Sequence, residues 1–199
     1  MRAIATTLAL AALLSGCLGA GEPDPAAGCE RFGDPVFRVH YEPGFMPYEF
    51  TGPRYLVEQR GAVVGLDVNR TMQGRGTGAV SVAPGALTNV TREEATAFLR
   101  QFRDYDTNHD FTIRRAVREA VDAGELSQFC GLAAGRMPAL APFYDHRGCA
   151  DAGTVNLTAN LDSGARTSRS YCGAGPPAFH DLQEAFERLA AGPRARLSR

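Results

Sequence analysis

Phe37-Arg38-Val39-His40-Tyr41-Glu42 alternates apolar and polar side chains. A period of two places Phe37, Val39 and Tyr41 on one face of a half-buried strand and Arg38, His40 and Glu42 on the other. Pro43-Gly44 ends it. Two further β-branched or aromatic runs, Arg54 to Glu58 and Ala62 to Val68, flank Gln59-Arg60-Gly61, which reads as a hairpin with glycine at the left-handed position. Thr154 to Asn160 and Ala165 to Tyr171 form a second hairpin around Asp162-Ser163-Gly164.

Helical signals punctuate these strands. Thr91 and Glu94 stand at capping-box spacing ahead of Ala95, Phe98, Leu99 and Phe102, which predicts a helix from Arg92 to Arg103. Ile113, Val117, Ala120 and Val121 make a second apolar stripe, closed by Gly124, and are read as a second helix. Pro177 opens a last helix with Phe179, Leu182, Phe186 and Leu189 on one face, stopped by Gly192-Pro193. The order predicts an α+β domain: an antiparallel sheet of about five strands with helices packed on one face, braced by disulfides.

Composition limits the function classes. Of 199 residues 44% are hydrophobic, enough for one core, and the net charge of -1 gives no electrostatic footprint for nucleic acid. Every basic residue is arginine. Met72 to Ala86 is glycine-rich, with Gly74, Gly76 and Gly78 in G-x-G-x-G spacing, but a phosphate-binding P-loop needs a lysine that the chain lacks; a mobile loop is expected there.

At the N-terminus Arg2 precedes an apolar run, Ala3 to Leu14, too short to cross roughly 30 Å of hydrocarbon at about 1.5 Å per residue. Leu14-Ser15-Gly16-Cys17 follows directly. This segment resembles the lipoprotein signals of bacteria and some archaea. The resemblance implies a signal peptide over residues 1–16, lipidation of Cys17 and a membrane anchor facing outside the cytoplasm. Ordinary secretion, with cleavage at Ala20 or Ala27, is the alternative. A Gly, Ala and Pro-rich tether is expected over 17–28, one domain over 29–192, and a frayed tail over 193–199 carrying Arg194, Arg196 and Arg199. Setting Cys17 aside leaves Cys29, Cys130, Cys149 and Cys172, an even set that fits two disulfides in an oxidising compartment. Three connectivities are open. Cys149 with Cys172 and Cys29 with Cys130 is preferred, because the first pair flanks the late hairpin.

Tyr41-Glu42-Pro43-Gly44-Phe45, the Gln59-Arg60-Gly61 hairpin, Pro84-Gly85-Ala86-Leu87 and Ala150-Asp151-Ala152 resemble segments of secreted lipoproteins of high-GC bacteria. The resemblance spans most of the chain beyond the leader and carries no activity to any residue.

Several constellations invite chemistry. Asp104, Asp106, Asn108 and Asp110 fall at positions 1, 3, 5 and 7 of an EF-hand-like loop over 104–112, with Thr112 at position 9, an arrangement suited to Ca²⁺. His109 replaces the turn glycine and Arg115 the closing glutamate, so Glu119 would have to complete the shell; the competing reading is a solvated loop whose acids cap a following helix. Asp162-Ser163-Gly164 resembles the aspartic-protease signature, but it occurs once and is ordinary turn composition. His40, His109, His146 and His180 lack an evident nucleophile, and no G-x-S-x-G or H-E-x-x-H occurs. Tyr41, Phe45, Met46, Tyr48, Phe50 and Tyr55 either close one end of the core or line a groove. Asn69, Asn89 and Asn156 head N-x-Thr sequons and are expected at the surface. The leading expectation is a non-enzymatic, anchored binding or structural module for a protein or envelope ligand. A Ca²⁺-binding module is the alternative, and a secreted hydrolase a weaker one.

Overall fold

The computed structural model describes residues 28–44, 51–71, 76–102, 105, 108–146, 148–149 and 152–198. Strands β1 (Phe32–Glu42), β2 (Arg54–Glu58), β3 (Ala62–Arg70), β4 (Val80–Thr88), β5 (Phe111–Ala120), β6 (Phe143–Tyr144), β7 (Thr154–Leu161) and β8 (Gly164–Tyr171) alternate irregularly with α1 (Arg92–Leu99), α2 (Ala123–Arg136), α3 (Pro177–Leu189) and α4 (Ala191–Leu197). All the strands join one open sheet in the order β4-β5-β3-β2-β1-β7-β8-β6. The two expected hairpins form, with Gly61 at φ 86° and Gly164 at φ 110°, where a side chain would be strained. Among the described residues no helix is long and apolar enough to cross a membrane.

The α+β class stands, and its details change. Among the described residues eight strands replace the expected five or so, and the sheet is mixed: β4 runs parallel to β5, joined through α1, and β6 runs parallel to β8. The helix expected at Ile113 to Val121 is strand β5. Its pairing with β3 shifts between Asp67 and Val68, leaving Arg114 as an extra residue. That bulge puts Phe111, Ile113 and Ala116 in one core cluster and Val117 in the other, which mimics helical spacing. Gly124 ends no helix; it lies in the first turn of α2, whose N-cap Asp122 accepts from the backbone N–H groups of Gly124 and Glu125. The latter part of the glycine-rich stretch forms β4. The expected frayed tail includes most of α4, with Pro193 and Leu197 buried and the Leu197 carbonyl accepting from Arg115 (2.5 Å).

The sheet carries apolar side chains on both faces. On one face α2 and α3 bury Leu126, Phe129, Phe179, Leu182 and Phe186 against Phe37, Val39, Tyr55, Leu157 and Ala159. Phe37 and Phe129 meet edge to face at 5.0 Å. On the other face α1 sets Ala95 and Leu99 over Leu56, Val64, Leu66 and Ile113. Helices therefore cover both faces, not one. The α1 capping box forms: the Thr91 hydroxyl accepts from the Glu94 N–H (3.2 Å) and the Glu94 carboxylate from the Thr91 N–H (2.9 Å). The disulfides are Cys29–Cys130, with Cα atoms 5.3 Å apart, and Cys149–Cys172, with Cα atoms 6.3 Å apart. Paired cysteines of this kind point to a compartment outside the cytoplasm.

Candidate functional site

The α1 cluster draws its strand residues from β2 to β5; among the described residues it takes none from β1, β7 or β8. On that second half of the same face the polar positions of the three strands fall in rows. Register pairs Arg38 with Thr158 and Thr158 with Thr167, then His40 with Asn156 and Asn156 with Arg169. These residues, with Glu42, and with Gln101 and Phe102 just beyond α1, line a groove of about 440 Å³. That volume lies within the range of small-molecule sites.

Glu42 organises the middle of the groove. Its carboxylate accepts from the Asn156 amide (2.8 Å) and from Arg169 Nη2 (3.2 Å), and Oε1 lies 3.5 Å from His40 Nδ1. His40 itself is buried, and its Nε2 meets the Thr51 carbonyl at 2.5 Å. A carbonyl only accepts, so Nε2 carries the proton and is spent on backbone; it is not available to a nucleophile. Beneath lies Arg54, fully buried, donating to the Thr51 hydroxyl (2.8 Å) and the Gly52 carbonyl (3.1 Å), its guanidinium 5.8 Å from the Phe102 ring centroid. Thr51 passes the chain on to the Val68 carbonyl (2.8 Å). Arg54 thus fixes Thr51 and through it the His40 ring.

Arg38 is held differently. Its Nη1 donates to the Gln101 carbonyl (2.8 Å), and among the described residues no carboxylate pairs with it. Burial holds its guanidinium below the usual arginine value. Thr158 and Thr167 share a hydroxyl contact of 3.0 Å on the neighbouring strands. The groove thus combines donors and acceptors from three strands with an arginine that has no carboxylate partner among the described residues.

The residues singled out in the sequence lie mostly elsewhere. Asp104 and Asp106 fall outside the described residues, as do Cys17, Phe45, Met46, Tyr48 and Phe50. Asp110 does not cap a helix, since β5 begins at the next residue; its Oδ1 accepts from the Thr77 and Ala79 N–H groups (2.8 and 3.0 Å), pinning the end of the glycine-rich stretch. The Asn108 carbonyl accepts from the Gly76 N–H (2.7 Å). Among the described residues no three His, Cys, Asp or Glu side chains converge as metal ligands would. Asp162 sits in the β7–β8 turn, its N–H on the Arg31 carbonyl (2.9 Å). Tyr55 is buried in the core and Tyr41 packs on it at 6.0 Å, so these two aromatics close the core and line no part of the groove.

The sequon asparagines are engaged. Asn89 exchanges two bonds with the Arg118 backbone (2.7 and 2.8 Å), Asn69 accepts from Arg114 (3.4 Å), and Asn156 is part of the groove. Sequence reasoning missed Thr158, Thr167 and Arg169, and marked Asn156 only as a sequon residue and not as part of a site. Their signal was the polar phase of each strand of the late hairpin, which repeats that of Arg38, His40 and Glu42.

Comparison with protein-family models, with known proteins and with solved structures returns no match.

Proposed function

We propose that the chain is an exported, lipid-anchored binding module, tied to the membrane through Cys17, that holds an envelope component or small ligand in the groove on its sheet. The observation that carries the reading is the groove itself. A sheet face left clear by α1 carries Arg38, His40, Glu42, Asn156 and Arg169 where a merely structural face would present solvated, independent side chains. Two disulfides support export. The spent Nε2 of His40 favours binding over hydrolysis.

Amide hydrogen exchange tests the binding half. A polar extract of cell envelope is expected to slow exchange along β7 and β8 in the wild type and not in an Arg38→Gln/Arg169→Gln variant; an unchanged pattern in both removes the reading. For the anchor, the wild type is expected to partition into detergent and Cys17→Ala into the aqueous phase. Aqueous partition of both would overturn it.

A further inference from the structure

Arg169 has a carboxylate partner and Arg38 does not. Glu42 meets Arg169 at 3.2 Å, while the one acceptor for Arg38 among the described residues is the Gln101 carbonyl at 2.8 Å. A guanidinium has five N–H donors in a planar fork, and Arg38 is half-buried beside a groove with most of that fork unused. A cation so placed is costly unless an anion completes it. The two arginines of the lining outnumber its one glutamate, so these side chains carry one positive charge in surplus. A singly charged carboxylate balances that surplus and matches the fork in a bidentate pair. Phosphate, with nearly two charges, would overbalance the surplus and face the Glu42 carboxylate.

The rest of the lining sets the remainder of the ligand. Asn156 and Gln101 have amide side chains and Thr158 and Thr167 hydroxyls, groups that both donate and accept, and Phe102 adds one flat apolar wall. Such a surface complements a chain or ring of hydroxyl-bearing carbons better than a hydrocarbon. We propose that the groove receives a hydroxylated monocarboxylate of the sugar-acid class, its carboxylate on Arg38 and its hydroxyls toward Asn156, Thr158 and Thr167. This rests on the groove being the ligand site.

The test titrates the full-length chain with sodium D-glucuronate, D-glucose and inorganic phosphate, followed by calorimetry and by backbone amide shifts. Glucuronate is expected to saturate a site that shifts Arg38, Asn156, Thr158 and Arg169, with glucose and phosphate weaker by about tenfold or more, the value of a charge-assisted pair. Arg38→Gln is expected to bring glucuronate down to the level of glucose. Thr167→Val, at an exposed position that carries little folding risk, is expected to weaken glucuronate and glucose alike. Glucose matching glucuronate within the groove, or phosphate exceeding it, overturns the ligand class while leaving the groove a binding site. Absence of groove shifts with all three probes overturns the sugar-acid assignment; whether the groove binds at all is then decided by the envelope-extract exchange experiment.

Discussion

Arg38 on β1 donates to the backbone carbonyl of Gln101 just beyond α1, 2.8 Å away, and this bond joins the strand that centres the polar groove to the segment after α1 that walls it. Because the guanidinium finds no carboxylate among the described residues, its positive charge works against folding as much as for it.

Arg38→Met should therefore be nearly neutral or stabilising by about 1 kcal/mol in ligand-free protein, since an apolar side chain of similar length removes an uncompensated charge. Urea denaturation of the two proteins measures it. A loss of several kcal/mol would mean that the residue is structural.

The two disulfides close loops of very different length, with sequence separations of 101 for Cys29–Cys130 and 23 for Cys149–Cys172. Loop-closure entropy then makes removal of the first costlier by about 1 kcal/mol, each loss falling near 2–5 kcal/mol. Double Cys→Ser variants compared by chemical denaturation should show that order; the reverse order would place the larger contribution in local packing at Tyr171, whose hydroxyl donates to the Cys149 carbonyl.

Tyr41 donates to Glu187 (2.9 Å), which also pairs with Arg194 (2.9 Å), and Tyr41 stacks edge-on against Tyr55. Burial pushes the Tyr55 phenol up to about 12, with Arg194 partly opposing, and raises Tyr41 by burial and then by the Glu187 charge. A folded-state value above the unfolded one stabilises fully below about pH 10 and is lost as pH climbs through the folded value. Denaturation midpoints should fall between pH 10 and 12, and ultraviolet titration should show the Tyr41 and Tyr55 phenols still protonated at pH 10 in folded protein. Ionisation of Tyr41 and Tyr55 near pH 10 in folded protein would contradict the packing.

Asp110 is held below the ordinary aspartate value, first by the Thr77 N–H and then by that of Ala79. A lowered folded value gives stability that is complete above about pH 4 and fades as pH drops through the folded value. Exchange protection at Thr77 and Ala79 should weaken in that acid window, and Asp110→Ala should remove it at neutral pH. Millimolar calcium should leave those two amides unchanged; protection that appears with calcium alone would instead favour the metal-loop reading.

How much of this the residues announce depends on distance along the chain. The Thr91 capping box, the Pro177 helix and the 154–171 hairpin rest on neighbours within a few positions, and all three form. Strand β5 was concealed because the bulge at Arg114 breaks its alternation, so that Ile113 and Val117, four apart, are buried on opposite faces of the sheet. α2 had a readable stripe in Leu126, Phe129, Cys130 and Ala133, obscured by taking Gly124 for a terminator. In the site, the polar phase of β1 was plain, yet that phase carried no sign that His40 is buried. Its burial depends on Thr51 and Phe102, and its neighbours Asn156 and Arg169 arrive from strands more than a hundred residues away, a register that no local pattern encodes.

Cys29 stands immediately ahead of β1, and its sulfur is bonded into α2. Tension applied upstream of it is transmitted to the helix layer before it can peel Phe32 from Leu161 at the first rung of the sheet. Such wiring makes the covalent bond, rather than the first rung of the sheet, the element that meets a pull from the N-terminal side.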